Sequence, residues 1–227
     1  MRGLLVIEPL YHQIVSGNKT QTRRSGGLEA VNKSPDEHDI NGYGITYPDY
    51  HIGEVSFCKK SDGFIKGHIT PIICKPRYRV GDVLYLKEPF VRVLTNSLTP
   101  NGYMYKFGVP DGFVGNYFRR QIGSNNLAKW PNKLFMPASA ARAFIRITGI
   151  KCERLLDISD EDCIAEGVER IDDGYKYIMM ANLVTKCETP QLAFKSIYRA
   201  ANKIKDVDIP NIWVWAYEFE YLKDYKL

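Results

Sequence analysis

The sequence predicts an α+β fold: a small β-barrel with flanking helices and a large loop and hairpin insertion. Three observations carry this. Strand-like apolar runs outnumber helical stripes along the 227 residues, and loops rather than regular crossover helices separate them, which argues against a doubly wound α/β sheet. The C-terminal run places Trp213, Trp215, Tyr217, Phe219 and Tyr221 at alternate positions, the period of a strand with one packed face. From Ser25 to about Arg77 the character changes, and Gly, Asn, Asp, Tyr and Pro dominate. The chain therefore reads as one domain, 1–227, with an insertion at about 25–77 and a loop-rich segment at about 108–130.

The elements follow in order. Residues 2–7 form a short apolar strand. Pro9 suits the first turn of a helix whose stripe is Leu10, Ile14 and Val15, and Gly17 stops it. Residues 19–24 are extended or turn-like. Inside the insertion, 53–58 and 64–70 are expected to pair as a hairpin across 59–63. Tyr78-Arg79-Val80-Gly81-Asp82 signals a turn, and a buried strand over 83–88 follows until Pro89 cuts it off. Residues 90–94 and 103–107 suggest another hairpin, and 137–142 are small and helix-prone. A strand runs from Phe144 through about 151. Ser159 caps and Gly167 stops a helix over 160–166. Thr189-Pro190 opens a helix carrying Leu192, Phe194, Ile197 and Tyr198, and the final strand spans 212–221. The chain shows no internal repeat and no low-complexity tract.

Composition narrows the function classes. Hydrophobic residues make up 44% and charged residues 25%, ordinary for a globular protein. No run of about 18 apolar residues occurs, so no membrane partner is expected, and the short apolar stretch after Met1 meets Glu8 and Pro9 too soon for a leader. A cytoplasmic setting is the expectation. Cys58, Cys74, Cys152, Cys163 and Cys187 are widely spaced with no C-x-x-C pair, and His12, His38, His51 and His68 lack ligand spacing. Free thiols, no metal site and no cofactor are expected. A net charge of +5 permits a polyanionic partner without demanding one.

The stretch Gly17-Asn18-Lys19-Thr20-Gln21-Thr22-Arg23-Arg24 departs from a generic surface. Gly17 ends a helix, three cations fall within six residues, and Thr20 and Thr22 add hydroxyls. On an extended strand Thr20, Thr22 and Arg24 share a face. Such a surface can grip phosphate or hydrogen-bond a base, with arginine offering two parallel donors. The bland alternative is a solvated basic strand end.

Gly17-x-Lys19-x-x-Thr22-x-Arg24 resembles the G-x-K-x-x-T-x-R signature of the ASCH superfamily. Four further segments resemble that family in order. They are Val80–Glu88, Lys133–Pro137 with Ala141-Arg142, Leu155–Gly167 and Trp213–Phe219, and the layout looks most like its long, phage- or prophage-associated members. The resemblance implies a PUA-like β-barrel and an RNA or modified nucleoside or nucleotide as partner. It also implies an alternative: small ASCH proteins include amidohydrolases acting on N4-acetylcytidine, whose proposed set corresponds to Lys19, Thr22 and Glu166. Ribonuclease activity is a third expectation from the same resemblance.

That chemistry makes demands. A threonine nucleophile needs a base, and a lysine serves only if its pKa falls from about 10.4 toward about 7, roughly 4 kcal/mol of perturbation. Lys19 and Thr22 are three apart, so they converge only if Lys19 lies in a turn. Glu166 is placed to move a proton to the leaving amine; its alternative is an exposed carboxylate in a last helical turn. Further ligand contacts are expected from Gly17, Thr20, Arg23, Arg24, Glu88, Trp130 and Lys133. Glu88 would accept from an exocyclic amine, or else pair with an arginine or Lys87. Trp130, Tyr103, Tyr105 and Phe135 are candidates for stacking on a base, each weighed against a place in the core. Arg119-Arg120 reads as a solvated loop pair, with a widening of the basic surface as the alternative.

Overall fold

The computed structural model describes residues 1–43, 54–60, 71–92, 103–107, 130, 132–179, 183–205 and 208–225. The elements are β1 (Arg2–Leu5), α1 (Glu8–Val15), β2 (Gln21–Arg24), β3 (His38–Tyr43), β4 (Val55–Lys59), β5 (Ile72–Cys74), β6 (Val83–Lys87) and β7 (Phe90–Arg92). There follow β8 (Tyr103–Tyr105), β9 (Phe144–Arg154), α2 (Asp160–Ala165), β10 (Glu169–Ile171), β11 (Gly174–Met179), β12 (Leu183–Cys187), α3 (Pro190–Asn202) and β13 (Trp213–Tyr221).

The alternating aromatics of β13 do what their period suggests. Trp213, Trp215, Tyr217 and Phe219 all point into one core, with Leu4, Leu84, Leu86, Ile145 and Ile147 from three other strands. Burying an aliphatic or phenyl side chain there contributes about 1.5–3 kcal/mol each. On the other face of β13, Val214 packs with Phe194, Ile197 and Tyr198 of α3 and with Cys163 of α2. Both helices are capped as their sequences indicate: Ser159 accepts from the Asp162 amide, and Thr189 from the Leu192 amide.

The central sheet has the order β1-β6-β9-β13-β2, with β1 and β6 parallel and the other neighbours antiparallel. The expected barrel is not closed among the described residues. β1 and β2 are the sheet's edges, each four residues long and each engaged by its inner neighbour. Among the described residues, a side chain links the two edges: Arg24 Nη2 donates to the Leu5 carbonyl at 2.9 Å.

Other departures have local causes. β1 stops at Leu5 rather than residue 7: its pairing with β6 ends at Leu5 opposite Lys87, and Ile7 already caps α1. The 137–142 segment makes only a 3-10 turn, Ala138–Ala140, since β9 starts at Phe144. The insertion contains a three-stranded antiparallel sheet in which β4 pairs with β3 and β5. The expected partner at 64–70 lies outside the described residues, as do His51, His68, Arg119, Arg120 and most of the 108–130 segment. β7 and β8 pair as anticipated. A fourth sheet, β10-β11-β12, was not foreseen; it starts from a tight turn that brings Ile171 opposite Gly174. Among the described residues, no helix is long and apolar enough to cross a membrane.

Candidate functional site

Gly17 sits at φ +83°, a conformation that glycine reaches without the penalty of a Cβ, and so turns the chain out of α1. The amide of Lys19 then bonds back to the Gln13 carbonyl at 2.9 Å. Thr20 ties the segment to two elements at once. Its amide donates to the Ala165 carbonyl at the end of α2, and its carbonyl accepts from the Phe219 amide of β13, both at 2.8 Å. The motif is thereby fixed between α2 and the sheet before β2 begins.

The side chains then divide by face. Arg23 sits opposite Ala216 and Thr22 opposite Tyr217 in the β2–β13 register. Tyr217 belongs to the large aromatic core, whereas the Arg23 guanidinium lies 5.6 Å from the Phe194 ring on the helix side. On that side is a buried ionic network. Lys19, only 2% exposed, donates from Nζ to the Glu166 carbonyl at 2.8 Å and to the Glu166 carboxylate. Arg23, equally buried, contacts three carboxylates: Glu153 (Nε to Oε1, 2.8 Å), Asp162 (Nη2 to Oδ2, 2.9 Å) and Glu166 (Nη1 to Oε1, 3.2 Å). Gln21 completes it, accepting from Arg23 at 2.9 Å and donating to Asp162 at 2.9 Å. Burial pushes the Lys19 ammonium below its ordinary range, and Glu166 opposes that shift. For Arg23 burial is again the largest influence, but the carboxylates outweigh it and hold the guanidinium firmly charged.

A second group of cations has the opposite character. Lys133 donates from Nζ to the Val6 carbonyl, while Arg24 reaches the carbonyl of Leu5, so the two cations meet adjacent peptide groups at the end of β1. Burial, then Arg24, Lys203 and Lys106, lower the pKa of Lys133. None of these four cations forms an ion pair among the described residues. They come from β2, from the chain just after β8, from the 3-10 turn Lys133–Phe135 and from the left-handed residue that ends α3. Tyr198 joins the two groups electrostatically: burial raises its pKa most, with Arg24 lowering and Glu166 raising it.

Comparisons with family models, curated proteins and solved structures gave no match.

Of the three residues considered for catalysis, Lys19 and Glu166 are in contact, and Thr22 projects from the opposite face of β2, buried in the aromatic core. Lys19 does lie off the regular strand, between the turn at Gly17 and β2, but this places it on the Arg23 face. Arg23 serves the carboxylates rather than an open surface. Thr20 and Gly17 are exposed, and Arg24, Lys133 and Trp130 are half-buried. Glu88 is fully buried and held by Arg142 through two bonds, Nε to Oε1 at 2.7 Å and Nη2 to Oε2 at 2.8 Å. It therefore matches the paired-arginine alternative. The Arg142 guanidinium also stacks 4.5 Å from the Tyr105 ring. Tyr103 and Phe90 pack on each other edge to face.

Lys106, Lys203, Glu153 and Asp162 had no signal of their own in the sequence. They join the site through strand register, the first turn of α2, the chain after β8 and the end of α3. Among the described residues, no group of three His, Cys, Asp or Glu side chains is arranged to hold a metal ion.

Proposed function

We propose that this chain binds RNA or a nucleotide through the cationic rim formed by Arg24, Lys106, Lys133 and Lys203. The observation carrying the reading is that these four cations lack carboxylate partners among the described residues, whereas Arg23 beside them has three. Clustered like charges repel, so an anion that neutralises them binds with a gain in free energy. The ordered likeness to ASCH proteins, with their PUA-like fold, supports a nucleic-acid-type anion over a simple one. Binding of a labelled single-stranded RNA is expected to weaken with salt and to weaken further in Arg24→Ala and Lys133→Ala. Affinity insensitive to both would refute the reading.

A second reading is an amidohydrolase acting on an N4-acylated cytidine. It is favoured by one observation, the buried Lys19 in contact with Glu166 and shifted toward its neutral, basic form. A neutral amine can take a proton from an attacking group and pass it through the Glu166 carboxylate to the leaving amine. Thr22 on the far face does not complete that pair, so water is the nucleophile in this version. Acetate release from N4-acetylcytidine, lost in Lys19→Ala and in Glu166→Gln, is the expected result; no turnover of any acylated cytidine by the native protein would exclude it.

A further inference from the structure

The turn Lys133–Phe135 is unusually well pinned for so short a segment. The Asn132 side chain accepts from the Leu134 amide at 3.0 Å, and the Phe135 amide bonds to the Asn132 carbonyl at 3.2 Å. The Lys87 ammonium holds the Leu134 carbonyl at 2.6 Å. The next residue, Met136, is buried, and its carbonyl accepts from Tyr85 Oη at 2.9 Å. Yet this fixed turn shows the Phe135 ring to solvent, 80% exposed, with Leu134 and Leu5 also exposed. A phenyl ring left in water gains nothing for folding, and a rigid scaffold under it keeps the entropy cost of engaging a flat partner small. Two residues away, Lys133 belongs to the cationic rim.

We propose that Phe135 is a stacking platform for a nucleobase, and that the rim's occupant is a nucleic-acid strand with unpaired bases. This rests on the rim being an RNA or nucleotide site. Two features favour a strand over a single nucleotide. A phosphate is satisfied by one bidentate arginine, whereas here Arg24, Lys203 and Lys106, each from a separate element, all act electrostatically on Lys133, cations enough for successive phosphates. Stacking on an exposed aromatic also needs a base free of its complement, which a duplex withholds.

The test is fluorescence anisotropy at low salt with a labelled single-stranded RNA, using the native protein, Phe135→Ala, Phe135→Trp and Arg24→Ala. Unlabelled single-stranded DNA, duplex RNA and inorganic polyphosphate serve as competitors. Phe135→Ala is expected to weaken strand binding about tenfold while leaving polyphosphate competition unchanged. Phe135→Trp is expected to retain binding, with its indole emission quenched by the strand and not by polyphosphate. Arg24→Ala is expected to weaken both. Equal competition by RNA and DNA strands fits stacking alone, and a preference for RNA adds a contact to the 2′-hydroxyl. Three results would overturn the inference: strand binding unchanged in Phe135→Ala, an unquenched Phe135→Trp, or duplex competing as well as single strand. If those occur while Arg24→Ala still weakens binding, the stacking role fails and the rim reading stands. If the native protein binds no strand at all, both fail.

Discussion

Lys19 reaches across 147 positions of sequence to give two hydrogen bonds to one residue, to the backbone carbonyl of Glu166 at 2.8 Å and to its carboxylate. The contact fastens the turn after α1 to the end of α2. It also withdraws Lys19 from solvent, along with Arg23, so the motif's positive charge is not all available to a ligand. Of its three cations, only Arg24 lies at the rim.

The first prediction concerns the neighbouring arginines. Arg23→Ala leaves Glu153, Asp162 and Glu166 buried or half-buried without their shared cation, and is expected to destabilise the fold by about 3–5 kcal/mol. Arg24→Ala removes one hydrogen bond to a carbonyl and is expected to cost about 1 kcal/mol. Urea denaturation measures both. Equal costs would contradict the division of labour.

The second concerns backbone conformation. Gly17 and Gly167 both have positive φ, +83° and +103°. A Cβ on Gly17 would meet nothing within 4 Å, and one on Gly167 would make only ordinary contacts with Lys19 and Gln13. The penalty for alanine is then conformational alone, about 1–2 kcal/mol at either site by thermal unfolding. A cost near zero would mean that the turn readily takes another conformation.

The third concerns acid. Lys176 and then Gln13 bond to the Glu169 carboxylate and hold its pKa below the ordinary 4.5, against the effect of partial burial. A lowered folded pKa contributes stability that is present above 4.5 and lost as pH falls through the folded value. Glu169→Gln is therefore expected to flatten the stability profile below about pH 4.5, leaving its slope near neutrality unchanged. An unaltered acid limb would remove Glu169 from that role.

The fourth concerns ligand affinity at high pH. Burial and the cations around it bring Lys133 below the usual lysine value, so it loses its charge earlier than an exposed lysine as pH rises. Strand affinity is expected to fall on moving from pH 7 toward pH 10, and Lys133→Arg, which stays charged, to remove most of that fall. A decline identical in both proteins would assign the titration elsewhere.

The sequence was most informative where one period or one residue type decides the outcome. The alternating aromatics of β13, the caps Ser159 and Thr189, and Gly17 as a stop all act locally and are found where local rules put them. Barrel closure was not legible, because it depends on whether β1 and β2 meet, a long-range matter. The site was half legible. The importance of 17–24 showed in its charge, but which cations face carboxylates depends on Arg23 pairing with Ala216 rather than Tyr217, a one-residue register that reverses the faces. Lys203 and Lys106 join only through tertiary placement. Glu88 ends an apolar strand and suggested a ligand contact; Arg142, 54 positions away, holds it instead.

The most direct test of the central claim is the salt dependence of single-stranded RNA binding in the native protein and in Arg24→Ala. Log K is expected to fall linearly with log salt in both, with Arg24→Ala binding more weakly at low salt and its slope shallower by about 0.7 for the lost phosphate contact. Identical affinities and slopes, in an Arg24→Ala protein of near-native stability, would contradict it.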